Sequence, residues 1–153
     1  MRKSLALVTV LAAFVLAGCS HTVALTPADN AIDSGCAEVV AHAPEVVADL
    51  ERRDTDAQGT LAYGDPASVI VRCGVEEPGP TAALKCVETD GVHWLRDESD
   101  APIYIFTTYG RSPATEVIID RDAVAPGLAL LDLVPAVSGT TEVGQCTDIE
   151  DSL

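Results

Sequence analysis

The sequence predicts an α+β fold, in which a small, mostly antiparallel sheet carries two or three short helices on one face and is stapled by disulfides. Three observations carry this reading. Residues 35–50 and 126–134 hold apolar side chains at helical spacing. Five short runs are rich in β-branched or aromatic residues, and two of them flank an Asp-Gly pair. The chain has five cysteines, three of which lie in these elements. Helices and antiparallel strands in this order form a two-layer domain.

The amino terminus sets the expected compartment. Met1-Arg2-Lys3 is a short positive segment, and an uncharged apolar run follows as far as Ala17. That run is too short for a comfortable membrane span and has the form of a signal peptide. It ends in Leu16-Ala17-Gly18-Cys19, which resembles a bacterial lipobox, in which the cysteine thiol receives a diacylglyceryl group and becomes the first residue of the mature chain. We therefore expect a signal peptide over 1–18, acyl chains such as palmitate on Cys19, a tether over 19–33, one domain over 34–148, and an acidic tail over 149–153. The tether contains Pro27 and Asn30, with Val23 and Leu25 placed to start an edge strand.

The chain carries 24 acidic and 9 basic side chains, a net charge of −15. Loss of Arg2 and Lys3 with the signal leaves seven basic residues and a charge of −17. Such a charge argues against nucleic acid, which is bound by neutralising phosphates. It also opposes electrostatic docking to anionic lipid. Membrane attachment is thus expected through lipid on Cys19, each buried methylene contributing about 0.8 kcal/mol.

Within the domain, Val39, Val40, Ala43, Val46, Val47 and Leu50 recur at helical spacing, with Pro44 interrupting them. The pattern predicts a helix near 35–42 and a second one beginning at Pro44, with Arg52 and Arg53 at its end. Residues 55–66 contain Gly59, Gly64 and Pro66 and predict a loop. A strand is expected over 68–73 and a Pro/Gly-rich loop over 74–80. Asp90-Gly91 suits a two-residue type I′ turn, in which both central residues need positive φ. That turn pairs Thr89 with Val92, Glu88 with His93, Val87 with Trp94 and Cys86 with Leu95. Lys85 would then face Arg96, and the like charges are expected to end the ladder. Residues 97–100 read as an acidic loop, 103–109 and 115–120 as strands joined at 110–114, and 126–134 as a helix stopped by Pro135.

Cys36, Cys73, Cys86 and Cys146 form an even set in an exported chain and predict two disulfides. Three connectivities are possible. The spacing favours Cys73–Cys86 around the Pro/Gly loop and Cys36–Cys146 across the ends of the domain. No CxxC is present and the histidines lack ligand spacing, so no metal and no cofactor are expected.

Motifs for a nucleophile elbow, a zinc protease or a phosphate loop are absent. His42 and His93 are the candidate bases for a hydrolase. The constellation singled out for ligand binding is Arg111 with Tyr109 beside it and Trp94 as a flat apolar wall. A guanidinium at a hairpin tip can hold a carboxylate or phosphate bidentately. The structural alternative is an ion pair between Arg111 and Glu116 or another neighbouring acid, with Trp94 serving as the core's main aromatic.

Several segments together resemble a family of small actinobacterial exported proteins with a domain of no assigned function. They are Glu51-Arg52-Arg53, Tyr63-Gly64-Asp65-Pro66, Arg72-Cys73-Gly74-Val75, Asp90-Gly91-Val92-His93-Trp94-Leu95 and the stretch from Phe106 to Val117, covering roughly 36–135. The resemblance implies a secreted or membrane-anchored protein of the cell envelope and supplies no catalytic residues. The expected function is thus a lipid-anchored binding or interaction module on the outer face of the cell membrane, recognising an envelope protein or a cell-wall component. The alternatives are a cell-envelope hydrolase using His42 or His93, and an inhibitor of secreted enzymes.

Overall fold

The computed structural model describes residues 22–148. Cys19, the expected signal peptide and the residues after 148 lie outside it. The described chain runs α1 (Ser34–His42), β1 (Val46–Val47), β2 (Leu50–Arg53), β3 (Thr60–Tyr63), β4 (Val69–Val75), β5 (Lys85–Thr89), β6 (Val92–Asp100), β7 (Ile103–Thr108), β8 (Arg111–Ser112), β9 (Ala114–Asp120), α2 (Pro126–Val137) and β10 (Thr141–Glu142). Eight strands form one sheet in the order β1-β2-β3-β4-β9-β7-β6-β5, with every neighbouring pair antiparallel. β8 and β10 form a separate two-stranded ribbon. The expected α+β class holds, with more sheet and less helix than the sequence pattern implied.

Side chains alternate between the two faces of a strand. On β4 and β9 the paired residues Val69 and Ile119, Val71 and Val117, and Cys73 and Thr115 all turn inward. Phe106, Trp94 and Val87 continue this layer across β7, β6 and β5, and all three are fully buried. α1 and α2 close over it with Val39, Leu130, Leu133 and Val137, so both helices contribute to one core. On the outer face Ile70, Ile118 and Ile105 form a half-buried row.

α1 begins where Asp33 accepts the Gly35 N–H at 2.7 Å, a side-chain cap for an otherwise orphaned donor. The second helix expected from Pro44 is replaced by the hairpin β1–β2. Ala48 and Asp49 both have positive φ, as a two-residue hairpin turn requires. The Ala48 N–H donates to Asp132 on α2 at 2.8 Å, and Tyr63 donates from its hydroxyl to the Pro44 carbonyl at 2.9 Å. These contacts tie the hairpin to the helix and the sheet at once. Val46, Val47 and Leu50 satisfy a helical period over too few residues for it to exclude a strand pair.

The expected loop 55–66 contains β3, whose four residues are all buried. The β5–β6 hairpin has the expected register pair by pair, and Lys85 opposite Arg96 is its last pair, where the like charges are expected to end the ladder. β6 also runs through the expected acidic loop to Asp100, with an irregularity between Asp97 and Asp100. There the Ser99 N–H donates to Asp97, and with the Ser99 side chain it holds that carboxyl below its ordinary range. α2 continues past Pro135 to Val137. The carbonyl that the proline leaves unbonded belongs to Leu131, on the exposed side of the helix, where water can satisfy it.

Two disulfides form, with a connectivity different from the favoured one. Cys36 on α1 bonds Cys73 on β4, and Cys86 on β5 bonds Cys146 in the tail, with Cα separations of 5.4 and 6.5 Å. Alternation explains the difference. Cys73 lies in the inward row of β4 with Val69 and Val71. Cys86 lies in the outward row of β5, opposite Leu95 and out of register with Val87 and Trp94. Two cysteines on opposite faces of a sheet cannot reach each other.

Tyr63 is fully buried, and burial pushes its phenol up to about 12 from 10.0, with the nearby Arg52 guanidinium offsetting part of the rise. Between those values the folded chain keeps a proton that the unfolded chain loses. This contribution is therefore complete below pH 10 and is lost as pH rises toward 12. Urea midpoints at pH 9 and pH 11 should show the wild type losing on the order of 1 kcal/mol more than Tyr63→Phe. An equal loss in both proteins would contradict the assignment.

Candidate functional site

The site is built on the outer face of the sheet at its β5–β6 edge, from three segments without long regular structure. The first is 76–84, where Pro78, Gly79 and Pro80 prevent the chain from adding a strand. The second is the turn 109–113 between β7 and β9. The third is the tail 143–148. The β8–β10 ribbon joins the second to the third, pairing Arg111 with Glu142 and Ser112 with Thr141. Gly110 extends the junction, its carbonyl accepting the N–H groups of Val143 at 2.7 Å and Gly144 at 3.2 Å. Gly110 has φ +69°, and a Cβ there would overlap the Gly144 backbone, so only glycine fits. Cys86–Cys146 then fastens the tail to β5.

These segments enclose a cleft of about 480 Å³, whose lining includes Pro80, Leu84, Leu95 and Tyr109 with Thr81, Lys85 and Gln145 as polar groups. A smaller hollow of about 180 Å³ continues from it, between Glu77, Pro78, Tyr109, Arg111 and Gln145. Tyr109 and Gln145 are common to both. Tyr109 is placed by its own N–H, which donates to the His93 carbonyl at 2.8 Å.

Arg111 is buried, and its guanidinium mainly closes the fold. Its Nη1 donates to the carbonyls of Ser138 at 3.3 Å and Thr140 at 3.1 Å, just past the end of α2. Helix C-termini leave carbonyls without intrahelical partners, and a cation there also complements the helix dipole. Nη2 lies 3.8 Å from the Glu142 carboxylate. The expected partner Glu116 instead binds Arg72 at 2.9 Å. Thus Arg111 and Tyr109 come together at the cleft, with Arg111 holding its wall. Trp94 does not join them. It is fully buried on the inner face, among the core side chains, and cannot serve as a wall for a ligand.

The histidines are far apart in character. His42 is exposed at the end of α1, its Nδ1 2.9 Å from the Glu38 carbonyl and 3.5 Å from the Glu38 carboxylate. His93 lies beside the Cys86–Cys146 disulfide, with donor atoms of the three residues within 4.8 Å of one another. Its Nδ1 is buried without a hydrogen-bond partner. Both sulfurs are committed to the disulfide, so the cluster offers no thiolate to a metal. Among the described residues, neither ring is hydrogen-bonded to a serine, threonine or thiol.

Residues 4–145 match the family described as "Protein of unknown function (DUF3515)". The chain belongs to this family. The match covers the domain as far as Gln145, together with most of the segment before it. No curated protein and no solved structure matches the chain. Family membership thus agrees with a domain without an assigned activity, and the chemistry has to be read from the geometry. The tail residues Gln145 and Cys146 belong to the cleft although nothing local in the sequence placed them there. The outward position of Cys86 in its hairpin was the available signal.

Replacing Arg111 by methionine removes the donor to two carbonyls near the end of α2. By chemical denaturation it should cost about 2–3 kcal/mol. Arg121→Met, which removes only a guanidinium 5.6 Å above the Tyr104 ring, should cost less than about 1 kcal/mol. Equal losses would show that Arg111 is not a clamp.

Proposed function

We propose that this family member is an exported cell-envelope protein held on the outer face of the cell membrane by lipid on Cys19, and that its domain is a non-catalytic binding module. The observation that carries the binding role is the cleft beside Tyr109. Its walls are locked by the Arg111 clamp, the β8–β10 ribbon and the Cys86–Cys146 bond, so it is formed before any ligand arrives. Apolar Leu84, Leu95 and Tyr109 beside polar Thr81, Lys85 and Gln145 suit an extended ligand with both characters, such as an envelope protein segment or a cell-wall fragment. The signal-like amino terminus, the lipobox and two disulfides support export. Among the described residues no helix is long and apolar enough to cross a membrane. Attachment is assigned to lipid on the lipobox at Cys19.

A hydrolase has less support. His42 makes its polar contacts with Glu38 of its own helix, and His93 abuts a disulfide. General acid–base catalysis needs a base within hydrogen-bond reach of the group it activates.

In cells, Cys19→Ala should move the protein from the membrane fraction to the soluble fraction and abolish labelling by a fatty-acid analogue. Unchanged partitioning would refute lipid attachment. A photo-cross-linking side chain at Ala82, in the cleft, should give a discrete adduct, whereas one at Leu128, exposed on α2, should not. Thr81→Trp, which fills the cleft from its exposed rim, should suppress the Ala82 adduct while leaving the melting temperature unchanged. Equal adducts at both positions would contradict the cleft as the binding surface.

A further inference from the structure

We propose that the β2–β3 side of the domain is its membrane-facing surface, and that the cleft is held away from the bilayer. The proposal rests on lipid attachment at Cys19 and adds an orientation to it. It starts from how early the chain becomes fixed. The Val23 N–H donates to the Asp54 carbonyl at 2.8 Å, and the Val23 carbonyl accepts the Asp56 N–H at 3.3 Å, making a parallel bridge to Thr55. The Leu25 N–H donates to the Asp56 carboxylate at 2.8 Å, and the Thr26 carbonyl accepts from Arg72 at 3.1 Å. Ala28 and Ala31 are buried soon after. The stretch expected as a tether is therefore fastened to the domain from Val23 onward.

Only four peptide links separate Cys19 from Val23. Fully extended, they reach at most about 14 Å. The lipid must then lie close to the bridge at Thr55 and to the adjoining residues 54–58.

The sheet gives the distance from that point to the cleft. Thr55 is hydrogen-bonded through its hydroxyl to Thr60 on β3 at 2.9 Å. From Thr60 one register row crosses the sheet through Arg72, Glu116, Thr107 and Leu95 to Cys86. Five strand spacings of about 4.8 Å separate its ends by about 24 Å. The tether is thus attached at one end of the row and the cleft lies at the other. A domain of charge −17 is repelled by an anionic bilayer within about one Debye length of about 8 Å. Repulsion opposes lying flat, and the short tether allows no part other than the β2–β3 side to be drawn to the surface. The cleft is then open to ligands from the aqueous envelope rather than to bilayer lipid.

The test uses the full chain in washed membranes, with a single cysteine introduced at exposed Gln58 or exposed Ala82. A bulky polyethylene-glycol maleimide reports access to each thiol. Gln58→Cys should react several-fold more slowly in intact membranes than after detergent solubilisation, while Ala82→Cys should react at the same rate in both. If the protein stays in the membrane but the two sites respond alike, or in reverse, the orientation is wrong and lipid attachment stands. If the protein is not in the membrane fraction at all, both proposals are overturned.

Discussion

Strand alternation in the eight-stranded sheet is the constraint on which the other features depend. It puts Cys73 on the inner face and Cys86 on the outer face, and so gives the two disulfides different tasks. Cys36–Cys73 draws α1 down onto the core layer of Val71, Val117 and Phe106. Cys86–Cys146 draws the tail across the outer face and makes it a wall of the cleft. Closing chains of 37 and 60 residues contributes roughly 4 kcal/mol each in the chain-entropy view. The first bond stabilises the scaffold and the second shapes the site.

A similar division holds for the scarce cations. Arg72 binds Glu116 on the outer face and the Thr26 carbonyl of the incoming chain, so it fixes the amino-terminal segment. Arg111 fixes the carboxy-terminal one through the carbonyls beyond α2. In a strongly acidic chain, both guanidiniums hold more than one acceptor, Arg72 a carbonyl and a carboxylate and Arg111 two carbonyls, a role for which the planar donor fork is suited. The amino- and carboxy-terminal segments of the described residues are thereby held near opposite ends of one register row, which separates the proposed anchor from the cleft.

Much of this was readable from sequence where one local rule dominated. Asp90-Gly91 between alternating strands specified every pair of the β5–β6 ladder, and α1 started and stopped within a residue of its pattern. Legibility failed where two patterns overlap in a short window. Val46 to Leu50 fits a helix or a hairpin, and the positive φ of Ala48 and Asp49 carries no glycine to announce it. β3 is too short and too uniformly buried to show a period. Of the candidate site, Tyr109 and Arg111 were singled out from a tip rich in turn residues, and the structure sets them beside the cleft with Arg111 on backbone carbonyls. Trp94 alternates with Leu95 along β6, so its register sets it on the opposite face, in the core, where a flat ring cannot meet a ligand. The tail 143–148 has no local pattern, and its position follows from Cys86, a residue about sixty positions earlier.

The claim that the two disulfides act on separate faces is tested most directly by amide hydrogen exchange on the double variant Cys86→Ser, Cys146→Ser. Protection should fall in 141–148 and in the turn 109–113, while β4, β9 and α1 exchange as in the wild type. Loss of protection throughout the sheet would contradict the account, because it would make the outer bond part of the scaffold.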